Sequence, residues 1–256
     1  MTSPLLAPAE EPGLWTPPGR ATRLVRGDGF TLVARHARGT VEGVRLAPGA
    51  VAEAVEEARD LARALGITEL VWWTGELSRP SGLLDELEDA GLVPYPDEPS
   101  LTTLTIDRPP ARPDGVVVRG VDDLAVYREA MELDWEVWKV PEADRERRRL
   151  TAAADWDEAR GHDTVVHHLA VVEGRPAGFS RLVLTGAAGV LMGGAVLPWA
   201  RGRGAYRALV HARWESSAGR GVPRLVTSAG AMSAPVLTRL GFTTIGTVRL
   251  MLDPRL

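Results

Sequence analysis

Residues 196–210 read Val196-Leu197-Pro198-Trp199-Ala200-Arg201-Gly202-Arg203-Gly204-Ala205-Tyr206-Arg207-Ala208-Leu209-Val210. An apolar strand runs into an arginine-glycine turn and then directly into an amphipathic helix. Gly202 and Gly204 let the backbone turn and approach a ligand without a Cβ in the way. The first N–H groups of the following helix point at the same place, with the positive end of the helix dipole behind them. Such a layout builds an anion site, and a diphosphate fits it. The dinucleotide fingerprint Gly-x-Gly-x-x-Gly fails at Arg207, and the triphosphate loop Gly-x-x-x-x-Gly-Lys-Ser/Thr is absent. A solvated basic loop, or an arginine-glycine stretch contacting single-stranded RNA, is the other reading of the arginines. Against it, arginine-glycine repeats are long and disordered, whereas this turn is bounded by apolar elements on both sides.

The 256 residues are 45% hydrophobic and 25% charged, the composition of a globular chain of one or two domains. A net charge of −4 supplies no general field for nucleic acid or anionic membrane, so neither is an expected partner. Without cysteine there is no disulfide, thiol nucleophile or thiolate metal site, and the five histidines form no ligand pattern, so no metal is expected. The N-terminus lacks a basic region followed by an apolar core, and nowhere do eighteen apolar residues run together. A cytoplasmic location is the resulting expectation. Lys139 is the sole lysine beside many arginines, which hints at a GC-rich bacterial genome.

Five prolines without periodicity in residues 1–20 predict a loose or surface-draped arm. A pattern then begins with a strand at Val44–Leu46, a helix with Val51, Ala54, Val55, Ala58, Leu61 and Leu65 on one stripe, and Gly66 as its stop. A strand at Glu69–Trp73, a short helix ended by Gly91 and a strand at Leu101–Ile106 follow. The second half repeats this order from Val190: strand, turn, helix, strand Arg224–Thr227, a short helix stopped by Gly241, and strand Thr247–Leu252. Proline density at residues 109–115 marks a linker. The expected organisation is an arm (1–20), a first domain (21–108), the linker (109–115) and a second domain (116–256).

The run Val196-x-Pro198-x-x-Arg201-Gly202-Arg203-Gly204, within the pattern Arg/Gln-x-x-Gly-x-Gly/Ala, resembles the acyl-coenzyme A loop of the GNAT superfamily of N-acyltransferases. Arg201 and Gly204 match; Tyr206 stands where the family keeps a small residue. The segment Ser233–Phe242 resembles a second family motif. The resemblance covers Val116–Leu252 well and Thr31–Ile106 weakly. It implies an α/β fold with a mixed, mostly antiparallel sheet flanked by helices, in two tandem copies of which the first is degenerate. By resemblance, Val196 pairs with the pantetheine arm of acetyl-CoA, and the loop of Arg201, Gly202, Arg203, Gly204, Ala205, Tyr206 and Arg207 holds the diphosphate. Gly193-Gly194 falls where family members carry a strand bulge.

The implied activity is acetyl-CoA-dependent transfer of an acetyl group to a primary amine of a small molecule or peptide. Two usual catalytic groups are missing: Leu237 stands at the tyrosine acid position, and Gly189–Leu197 contains no acid. Tyr206, Ser228, His168 or His167, and Asp134 or Glu136 are the substitute candidates, with Trp135, Trp138 and Trp156 as walls of an acceptor pocket. The alternative is a catalytically silent acyl-CoA sensor or partner-binding protein.

Overall fold

The computed structural model describes residues 4–20 and 22–256. In chain order its elements begin α1 (Leu6–Glu10), α2 (Pro12–Trp15), β1 (Thr22–Gly27), β2 (Phe30–Arg35), β3 (Arg38–Glu42), α3 (Val51–Ala64), β4 (Glu69–Thr74) and α4 (Leu83–Asp89). There follow β5 (Val93–Pro94), β6 (Ser100–Ile106), β7 (Val116–Gly120), α5 (Leu124–Val137), α6 (Glu142–Ala159), β8 (Val165–Val172), β9 (Arg175–Leu184) and β10 (Gly189–Val196). The chain closes with α7 (Ala205–Ala218), β11 (Leu225–Ala229), α8 (Ala234–Arg239) and β12 (Thr243–Asp253). Two compact units emerge: Met1–Thr105 with Val226–Leu256, and Ile106–Leu225.

In the first unit the strand order is β1-β2-β3-β4-β12-β6-β11. The final strand, β12, pairs antiparallel with both β4 and β6, and β3 pairs parallel with β4. Helix α3 forms as its stripe predicts: Val51, Ala54, Val55, Ala58 and Ala62 are buried against Leu32, Val41, Leu70 and Trp72. Gly66 at φ +69° ends it, with the Gly66 and Ile67 amides donating back to the Arg63 and Ala62 carbonyls. On the same buried stripe Arg59 meets Asp253 of β12 through two bonds, Nε to Oδ2 at 2.7 Å and Nη2 to Oδ1 at 3.1 Å. The structure thus groups 226–256 with the first unit, a division different from the sequential 21–108 and 116–256, because β12 finds its ladder partners there.

Two further expectations are corrected in this unit. Residues 4–20 are not a loose arm; residues 1–3 lie outside the described residues. Pro12 sits at the first position of α2, where its missing N–H costs nothing. Glu10 is buried and accepts the Glu76 and Leu77 amides, while Glu42 accepts the Gly13 amide at 2.8 Å and the Thr40 hydroxyl at 2.9 Å. The expected strand at Val44–Leu46 is only a single bridge, Arg45 to Arg79; the strands of this region are β1 to β3 before it.

The second unit carries the order β10-β9-β8-β7, every pairing antiparallel. Helix α5 packs on one face through Tyr127, Ala130 and Leu133 against Leu169, Phe179 and Ala195. Ala205, Ala208 and Leu209 of α7 pack against Val116, Ala170, Val172 and Ala177. Because strand side chains alternate, these two sets lie on opposite faces. The residues 109–115 are irregular, as expected, and lie along α7: the Pro110 carbonyl meets His211 Nδ1 at 2.8 Å.

Candidate functional site

Strand β10 carries the expected bulge. The ladder to β9 shifts between Met192↔Arg181 and Gly194↔Ser180, leaving Gly193 at φ +60° with no partner residue on β9. A glycine there avoids the strain a side chain would bring. Beyond Val196, which pairs with Gly178, a single 3-10 turn at Pro198–Ala200 brings the chain round to the arginine-glycine loop. The Arg201 guanidinium Nε lies 3.4 Å from the Val196 carbonyl oxygen.

Gly202 and Gly204 both adopt positive φ, +78° and +88°, and Gly204 is the N-cap of α7. A glycine cap contributes no side chain, so nothing from the cap closes over the helix N-terminus. Among the described residues, the N–H groups of Gly202, Gly204, Ala205, Tyr206 and Arg207 have no backbone acceptor. Arg201, Arg203 and Arg207 are exposed around them, and Arg203 pairs with Glu173 at 2.9 Å. The Arg175 and Arg203 guanidiniums lie over the Trp199 ring, 4.5 and 5.9 Å from its centre. Ala205 is buried in the core beneath the turn. Free amides, the positive end of a helix dipole and three exposed guanidiniums thus converge at one open, electropositive turn.

Tyr206 turns away from this mouth. An added Cβ on Gly194 would lie 3.1 Å from its ring and 3.7 Å from Arg213 Nη2, so ring and guanidinium together cover the bulged strand. Burial pushes the Tyr206 phenol up, opposed by the adjacent Arg213, and burial lowers Arg213 in turn. Tyr206 is therefore a neutral phenol beneath α7 rather than a wall of the loop. Sequence reasoning missed Arg213, which is 1% exposed. An arginine inside an otherwise apolar helix stripe was its only signal.

The remaining candidates are scattered. His168 shares the α7 face and sits 2.8 Å from the Ser216 hydroxyl; burial first, then Arg213, holds it down to about 3, so it is neutral at physiological pH. His167 points to the opposite face, stacked on Phe179, and burial with nearby Arg181 holds it at about 4. Ser228 belongs to the first unit, where its hydroxyl donates to the Ala9 carbonyl at 2.8 Å. Of the three tryptophans, Trp135 is buried, Trp138 is exposed with its indole N–H on Asp134, and Trp156 lines an open cleft. That cleft, about 510 Å³, is also bordered by Asp122, Asp123, His167, Arg160 and Arg220. Among the described residues no group of three potential ligands could hold a metal ion, and no helix is long and apolar enough to cross a membrane.

The fold matches solved structures along most of the chain. A GCN5-related N-acetyltransferase from Kribbella flavida shares 17% identity over 92% of this chain and 90% of that one, with a TM-score of 0.66. A tandem GNAT protein from the clavulanic acid biosynthesis pathway shares 21% over 94% and 85%, with a TM-score of 0.63. A GCN5-related N-acetyltransferase from Sphaerobacter thermophilus shares 19% over 89% and 81%, with a TM-score of 0.57. No protein-family model matches the sequence, and no curated protein matches it. The chain has the GNAT superfamily fold, as the loop motif implies.

Proposed function

We propose that this protein is an acetyl-CoA-dependent N-acetyltransferase acting on a primary amine of a small molecule or peptide. One observation carries the reading: the open amides of Gly202 to Arg207 at the N-terminus of α7, ringed by exposed arginines and following a bulged strand, within a GNAT fold. The diphosphate of coenzyme A would lie on those amides, with the pantetheine arm beside Val196. The thioester would then reach the bulge at Gly193. Attack by the neutral amine forms the C–N bond and breaks the C–S bond, releasing coenzyme A as its thiol; one proton leaves the nitrogen and one reaches the sulfur. Placement of the two reactants supplies most of what such a reaction requires. The cleft beside Trp156, edged by Asp122 and Asp123 as well as by Arg160 and Arg220, is an open space in this unit into which an acceptor could enter. Reading the protein as bacterial rests on its composition.

A silent acyl-CoA sensor is favoured by one observation: burial leaves His167 and His168 too weakly basic to take a proton well at neutral pH, and keeps the Tyr206 phenol protonated. Calorimetric titration with acetyl-CoA and coenzyme A, followed by thiol release in the presence of an amine panel, separates the readings. Binding with amine-dependent thiol release is expected. Binding without release from any amine supports the sensor, and no binding overturns both.

A further inference from the structure

Arg213 is a cation enclosed in unit 2 with no carboxylate against it. Its Nε donates to the Leu209 carbonyl and its Nη1 to the Gly193 carbonyl, each at 3.2 Å, while Nη2 has no partner at hydrogen-bond distance and faces the neutral Tyr206 phenol, which helps to hold the charge. Among the described residues no acidic side chain pairs with it. Its neighbours, Tyr206 and His168, are both uncharged at neutral pH. A buried guanidinium without an anion is a costly arrangement.

The carbonyl it binds belongs to the one residue of β10 that has no partner on β9. A cation on a peptide oxygen polarises the whole peptide unit and strengthens its neighbouring N–H as a donor. In a buried setting a charge acts at longer reach than in water. We propose that Arg213 is a positioning residue that fixes the Gly193 peptide and lends its unneutralised charge to the bulge, so that the bulge stabilises the negative charge developing on the acyl carbonyl oxygen of the bound thioester. The proposal rests on the acyl-CoA reading above.

The test uses the full chain and acetyl-CoA labelled with carbon-13 at the carbonyl. In the parent protein the carbonyl resonance should move downfield on binding. Arg213→Met should return it towards the free value while the Kd for acetyl-CoA stays within about threefold, because the loop amides are untouched. Arg213→Lys, which keeps the charge, should retain most of the shift. Arg213→Gln is a second neutral variant that can still donate to the Gly193 carbonyl, should the methionine variant fail to fold. An unchanged carbonyl resonance in either folded neutral variant overturns the role of Arg213 and leaves the acyl-CoA reading standing. Failure of the parent protein to bind acetyl-CoA removes that reading, and the proposal with it.

Discussion

Placing a carboxylate at position 202 probes the proposed diphosphate site with little disturbance to the fold. Gly202 is exposed, and an added Cβ there would meet nothing within 4 Å. Gly204, the other glycine of the loop, is a poorer choice, since its Cβ would lie 3.2 Å from Pro113. Gly202→Asp and Gly202→Asn share one shape and the same strain from φ +78°, which both residues tolerate better than most. Their difference therefore isolates charge. Two unit charges about 4 Å apart repel by about 1 kcal/mol at the dielectric of water and about 4 kcal/mol near a partly screened surface. Because residue 202 is exposed, the lower value applies to each of two diphosphate charges, or about 2 kcal/mol in total. Gly202→Asp should thus bind acetyl-CoA about thirtyfold more weakly than Gly202→Asn. Calorimetry at low salt reads the gap, which should shrink as added salt shortens the screening length. Equal affinities of the two variants at low salt would refute the placement of the diphosphate on this loop.

Three further outcomes follow from the buried groups. Asp253→Ala leaves the Arg59 guanidinium only the exposed Glu56 carboxylate and the Ala90 carbonyl and should lower stability by about 3 kcal/mol in urea unfolding, with the apolar double replacement Arg59→Met, Asp253→Leu recovering most of it. Glu42, fully buried, has its pKa raised from 4.5 to about 7 by desolvation, so the unfolded chain ionises first as pH rises. Its contribution to stability is full below about pH 4.5 and falls away up to about pH 7, by about 3 kcal/mol, and Glu42→Gln should flatten that slope of the urea midpoint. His168 and His167 should show neutral nitrogen-15 imidazole signals at pH 6, and a titration midpoint near 6.5 for either would contradict its burial.

The loop, its bulge and the helix behind it were legible because each depends on local chemistry. Glycine at positions 193, 202 and 204 answers to positive φ, and the stripe of α7 to helical periodicity. Helix α3 and strands β4, β6 and β10 lie within a few residues of where spacing and stop signals predict them. What stayed hidden depends on distant partners. Nothing around Thr243–Asp253 says that this strand lies between β4 and β6. Nor do prolines in the first twenty residues reveal that the segment is held down by Glu10 accepting the Glu76 and Leu77 amides and by Glu42 accepting the Gly13 amide. Arg213 is buried because α7 packs over the bulged strand, a contact no local signal in the sequence gives.

The insertion of β12 between β4 and β6 gives the nascent chain an order of events. Residues 106–225 are continuous and can collapse as soon as they leave the ribosome, as domains generally do. The unit begun by the first residues waits with the edges of β4 and β6 open until synthesis reaches Asp253, and open strand edges invite pairing with other chains. A premature stop before residue 243 would therefore leave an aggregation-prone intermediate rather than a shorter version of the protein.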